Sequence, residues 1–173
     1  MKWRGVMPAM TTKFCSDDKL DLGLFNKNLD FQLKAGIDAV VLGGSLGEAS
    51  TLTQNEKNIL TQNTVDFVRN KIPVVVNIAE QSTKDALESV KCAEKFGASG
   101  LMVLPPMRYK SGENETISYF EAIANSTNLP IMIYKPWMCS LHQLLVSAFY
   151  LSRLAFLDQI IFQLNKVSHN YGN

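Results

Sequence analysis

Cysteine is scarce in this chain, and what there is makes no pattern. Cys15, Cys92 and Cys139 are an odd number at no metal-ligand or redox spacing, so neither a disulfide framework nor a zinc site can be read from them. They read as incidental thiols of a reducing compartment, with the cytoplasm the expected setting. An excess of one charge is also missing: the formal net charge is +1 and the basic residues form no cluster. Nucleic acid and anionic membrane surfaces are therefore not expected partners. Residues 1–5 pass at once into strand-like sequence, without the apolar core of a signal peptide. A G-x-G-x-x-G run is absent, and no clear acidic residue stands about twenty positions beyond the first glycine turn, which speaks against a dinucleotide-binding domain.

What is present is a globular composition, 46% apolar and 19% charged over 173 residues, enough for one domain with a sizeable core. Apolar runs suited to buried strands fall at 6–11, 37–42, 74–78, 100–104 and 131–134. Between them lie helical patterns. Leu22, Phe25, Leu29 and Leu33 recur at three- and four-residue spacing, with Gly36 suited to the position just past the helix end. Thr53 with Glu56 and Ser82 with Asp85 are capping pairs that open helices over 54–70 and 82–97, and a fourth helix is predicted over 115–126. One strand every thirty residues or so implies βαβ units and a parallel sheet. A (β/α)8 barrel and a doubly wound sheet both fit that pitch. The barrel places functional residues at the carboxyl ends of strands, and those ends carry Thr11 and Thr12, residues 43–48, Asn77 and Glu80, residues 106–109, and Tyr134.

Composition changes near residue 136. Only Arg153, Asp158 and Lys166 carry charge beyond it, and no glycine or proline falls between Trp137 and Tyr171. Residues 141–164 are long enough and apolar enough to suggest a membrane span, but Arg153 and Asp158 fall inside the stretch. The expectation is about five βα units over 1–136, whose polar and glycine-rich strand ends favour a partial barrel, followed by an apolar, helical tail over 137–173.

Three strand ends offer chemistry together. The turn 43–48 has glycines at 43, 44 and 47, whose backbone N–H groups and the Ser45 hydroxyl suit a small carboxylate or phosphate. The first strand ends in the hydroxyls of Thr11 and Thr12, and the fifth in the Tyr134 phenol, which near a hydroxyl and an anion site can relay protons.

In this order and spacing, the stretch 8–14, the Gly-Ser-x-Gly-Glu turn followed by Thr51-Leu52-Thr53 and Glu56, the run 97–106 and the run 129–134 resemble the dihydrodipicolinate synthase and N-acetylneuraminate lyase family. These are (β/α)8 barrel aldolases and lyases that work through a lysine Schiff base and need no metal and no cofactor beyond that lysine. The resemblance implies a pyruvate-like 2-keto acid as substrate, its carboxylate held by Ser45 and the Leu46 amide in the turn that includes Gly44 and Gly47, with Thr11 at the neighbouring strand end. It implies proton transfer by Tyr134, a further aromatic for which Tyr109 is the nearest candidate, and a homo-oligomer.

The departures carry information as well. The second hydroxyl position of the turn is Leu46, and leucine passes no proton; this points from the synthase proper towards a sister lyase, aldolase or deaminase. The residue after the tyrosine, commonly asparagine, is Lys135. The imine-forming lysine belongs on the sixth strand, about thirty residues after the tyrosine, in an apolar interior that keeps its amine partly neutral. Lys166, after residues 160–165, is the candidate here, at an offset register. Since a complete barrel takes roughly 250 residues, the expectation is a truncated or frame-altered family member. The alternative to a working lyase is then a catalytically inactive one that retains only the carboxylate-binding turn.

Overall fold

The computed structural model describes residues 3–106 and 111–135, together with the backbone of Ile160–Leu164. Helices α1 (Leu22–Lys34), α2 (Gln54–Val68), α3 (Thr83–Lys95) and α4 (Glu113–Ala124) alternate with strands β1 (Val40–Leu42), β2 (Val74–Ile78), β3 (Gly100–Val103) and β4 (Ile131–Lys135); β5 (Ile160–Leu164) follows. All neighbouring strands pair in parallel, in the order β1-β2-β3-β4-β5. A doubly wound sheet reverses its strand order at a switch point. This sheet advances in one direction without reversal, as a barrel wall does.

Local signals set the helix ends. Asp21 Oδ1 accepts from the Leu24 amide at the start of α1, and the left-handed Gly36 (φ +80°) follows its end. At α2 the Thr53 hydroxyl accepts from the Glu56 amide while Glu56 Oε2 accepts from the Thr53 amide at 2.8 Å, a reciprocal capping box. The helix stops at Val68, two residues before the expected Asn70, because Arg69 and Asn70 both turn left-handed (φ 48° and 61°). Ser82 caps α3 as its spacing with Asp85 predicts.

The first strand expected over 6–11 is reduced to a single parallel bridge, Ala9 with Val41, supported by Met10 N–H donating to Val41 O and Val41 N–H to Pro8 O. Proline has no N–H to give a ladder, so Pro8 breaks the pairing that an unbroken strand would make. The expected helical tail needs a correction at its described part: residues 160–164 form β5, in register with β4 from Ile131↔Ile160 to Lys135↔Leu164. Ile160, Ile161 and Phe162 are β-branched or aromatic and favour strand. The outer edge of β4 would otherwise present unpaired backbone groups. The remainder of the tail lies outside the described residues.

The strands split their side chains between two faces. Towards the helices, Val76, Ile78, Leu101, Val103, Ile131 and Ile133 pack with Ala86, Val90 and Ala93 of α3 and Tyr119, Phe120 and Ile123 of α4. A second cluster joins Val40, Leu42 and Val74 to Phe25 and Leu29 of α1 and Leu60 and Val68 of α2. By alternation, the opposite, inner face carries Val41, Val75, Asn77, Met102, Met132 and Tyr134. Val75 is fully buried, and Val41 and Met132 nearly so, as in sheets covered on both sides. Among the described residues no helix is long and apolar enough to cross a membrane, and no group of three or more His, Cys, Asp or Glu side chains gathers to hold a metal ion.

Candidate functional site

The glycine turn leaves the carboxyl end of β1. Gly43 adopts φ +65°, residues Ser45–Gly47 make one 3-10 turn, and Glu48 closes it left-handed at φ 55°. Nearly every carbonyl of this turn is tied down. Gly43 O accepts from Asn77 Nδ2 at 2.7 Å, Gly44 O from the amides of Gly47 and Ala49, and Ser45 O from the Glu48 amide. Gly47 O accepts from the buried Thr12 hydroxyl at 2.7 Å, and Glu48 O from the amide and hydroxyl of Thr51. Gly47 is required by close approach: a Cβ there would stand 2.9 Å from Met10 O. With the acceptors satisfied and the later amides used, the first amides of the turn, those of Ser45 and Leu46, donate to no backbone carbonyl among the described residues. Short helical turns leave their leading N–H groups unpaired in this way. The Ser45 side chain is exposed and Leu46 is 68% exposed. Two adjacent amides without a backbone acceptor and an exposed hydroxyl are together the complement of a carboxylate.

Of the residues expected to bind, Gly44, Ser45, Leu46 and Gly47 thus lie in one turn. Thr11 stands beside it, but its hydroxyl accepts from Asn28 Nδ2 on α1 at 3.4 Å, whereas Thr12 supports the turn itself. Tyr134 is half-buried at the carboxyl end of β4, on the inner face and in register with Gln163 of β5. Three strand spacings separate it from β1 in the sheet order, roughly 14 Å measured along the sheet. The turn and the phenol share one rim of the sheet. Tyr109 and Lys166 lie outside the described residues; along the chain, Lys166 comes two positions after the last residue of β5.

Two strand-end residues support the turn in a way the sequence does not foretell. Thr12 and Asn77 act across 35 and 34 positions of chain, and the only sequence signal is that both fall at strand ends. A polar clamp fixes the exit of β2 as well. Lys57 Nζ meets Glu80 Oε1 at 2.9 Å, the Ser89 hydroxyl donates to Glu80 Oε1 or Gln54 Oε1 at 3.1 Å, and the Tyr119 hydroxyl donates to Glu80 O at 3.3 Å. Burial, and secondarily the Glu80 charge, push the Tyr119 phenol above its ordinary range, so it stays a neutral donor. Through this clamp α2, α3 and α4 share one anchor beside Asn77.

Comparison with known proteins agrees with this fold. The model of the dihydrodipicolinate synthetase family matches residues 2–161, beyond the change of composition near 136. The 4-hydroxy-tetrahydrodipicolinate synthase of Rickettsia bellii is 38% identical over 132 residues, covering 76% of this chain and 45% of the relative. That of Rickettsia typhi is 33% identical over 165 residues, 95% of this chain and 52% of its own. Among solved structures, YagE, a prophage protein of the dihydrodipicolinic acid synthase family from E. coli in complex with pyruvate, superposes with TM-score 0.75 at 31% identity over 78% of this chain and 45% of that one. A dihydrodipicolinate synthase from Bacillus anthracis gives TM-score 0.82 at 28% identity, over 91% and 55% respectively. These neighbours are TIM-barrel proteins. The chain spans about half the length of the curated relatives it matches.

Proposed function

Because the chain belongs to the dihydrodipicolinate synthetase family, we propose that its rim binds pyruvate or a related 2-keto acid and that it acts as a lyase or aldolase through a lysine Schiff base. The observation that carries this reading is the turn 43–48, whose carbonyls are held by Asn77, Thr12 and Thr51 while the Ser45 and Leu46 amides meet no backbone carbonyl among the described residues; in this reading they and the Ser45 hydroxyl receive the carboxylate. Lys166, two positions along the chain after the last residue of β5, is the amine of the reading. Its nitrogen attacks the keto carbon, the carbonyl oxygen leaves as water, and an imine to the lysine remains. Tyr134 supplies and recovers the protons of that exchange, with Tyr109 as a second aromatic. Exposed Leu46 offers no hydroxyl to join Ser45 to Tyr134, so water carries that link, which favours a lyase or aldolase over the synthase reaction. A cytoplasmic, self-associating protein completes the proposal.

The second reading, a member that binds the carboxylate without catalysis, is favoured by that same leucine. Borohydride reduction in the presence of pyruvate, with mass mapping of lysines, separates the two. A reduced adduct on Lys166 is the expected result. Pyruvate binding with no adduct on any lysine leaves only the binding reading, and absence of binding removes both. Sedimentation of the same sample checks self-association.

A further inference from the structure

We infer that Asn77 is a specificity residue of this rim: its amide oxygen accepts a hydrogen bond from a hydroxyl of the bound 2-keto acid, so the site prefers a hydroxylated keto acid to pyruvate. The inference rests on the keto-acid reading above and adds the ligand class. Asn77 Nδ2 donates to Gly43 O at 2.7 Å. A carbonyl oxygen can only accept, so this contact assigns the amide nitrogen to the Gly43 side and turns Oδ1 the other way. There Oδ1 is buried and has no hydrogen-bond partner among the described residues. Leaving a buried acceptor unmade costs about 1–3 kcal/mol, and native proteins rarely carry such an atom without a ligand or water to meet it.

The surroundings define the missing partner. Asn77 pairs in register with Met102, and Met102 with Met132, so its neighbours along the inner face are thioethers. Neither thioether carries a charge, and Glu80, three residues along the chain, is already paired with Lys57, so a buried ammonium there would lack compensation. A neutral donor fits, and among substituents of a small keto acid that donor is a hydroxyl. Position agrees with this. The same amide that grips Gly43 stands directly behind the turn that takes the carboxylate, and it lies one inward-facing step below the level of Tyr134, since Met132 shares its row and Tyr134 follows Met132 by two residues. Through Gly43 O, Asn77 is thus one contact away from the turn that carries the Ser45 and Leu46 amides, and the inference sets the carbon chain of the ligand against Oδ1.

The test compares hydroxypyruvate with pyruvate as ligands of the intact chain by calorimetry. For the wild type, hydroxypyruvate is expected to bind about three- to tenfold more tightly, the fold-change of one net hydrogen bond. In Asn77→Leu both affinities fall, through loss of the Gly43 contact, but the ratio moves to about one; Asn77→Ala serves if the leucine variant does not fold. Thr12→Val loosens the turn from its other side and should weaken both ligands while keeping the ratio. Equal binding of the two ligands by the wild type overturns the inference and leaves the keto-acid reading intact, with a water on Oδ1. A preference that survives both Asn77 variants also overturns it. Binding of neither ligand overturns the keto-acid reading, and this inference with it.

Discussion

The two faces of the same short strands differ in what they tolerate. Towards the helices, Leu101, Val103 and Ile133 are at or near zero exposure and belong to one apolar cluster. On the inner face, one residue away along the chain, the apolar run Val75, Met102, Met132 gives way near the carboxyl ends to Asn77 and Tyr134. A strand reverses its side chains at every residue, so five residues can supply both half of a core and one wall of a binding site. Val74–Ile78 and Ile131–Lys135 are therefore not uniform: alternate positions pack against the helices, while the inner face carries the polar side chains of Asn77 and Tyr134.

That division can be broken from either side. The largest expected effect is on the inner face: Tyr134→Phe should slow imine formation with pyruvate by about 10²- to 10⁴-fold, the usual weight of a positioned proton-transfer group, with little change in melting temperature. An unchanged trapping rate in stopped borohydride reactions would mean that the inner face binds without catalysing. On the helix face, Leu101→Ala should cost about 2–5 kcal/mol by urea denaturation, because Leu101 is fully enclosed by α3 and α4. If that cost falls well under 1 kcal/mol, the two faces are not as distinct as their packing implies.

Smaller effects sharpen the picture around the turn. Gly47→Ala places a methyl group 2.9 Å from Met10 O. Overpacking of this order costs about 1–3 kcal/mol, and displacement of the turn should abolish carboxylate binding, as a titration would show. Removing the cap of α2 with Thr53→Ala should cost about 1 kcal/mol while sparing ligand affinity. The cap also has a pH signature. Hydrogen bonds from the Thr53 hydroxyl and amide lower the Glu56 pKa, so the contribution of the capping box is present above the ordinary carboxylate range and is lost as pH falls through the lowered value. In melts across that acid range, the difference between wild type and Thr53→Ala should shrink towards low pH.

How much could be read in advance depended on the reach of each interaction. The starts of α2 and α3 were legible because Thr53 with Glu56 and Ser82 with Asp85 act across three residues, a pattern visible in any linear sequence. Strand β2 has the expected bounds because its β-branched residues Val74, Val75, Val76 and Ile78 favour strand, with Pro73 before them. The turn, with its glycines and Ser45, was legible as a candidate anion site. The supports of that turn were not. Thr11 and Thr12 look alike in sequence, and only the fold shows that one hydroxyl meets Asn28 while the other holds Gly47. Residues 160–164 look apolar enough for a helix, yet an unpaired neighbouring edge drew them into strand.

By itself, then, the sequence determined the alternation of strand and helix, the caps, and the glycine turn, since these follow from contacts between near neighbours and from side-chain periodicity. The tertiary structure decided which hydroxyl and which amide stand behind that turn, where residues 160–164 pair, and which face of each strand looks inward. Those outcomes depend on groups some thirty positions apart in the chain, and such groups meet only when the sheet assembles.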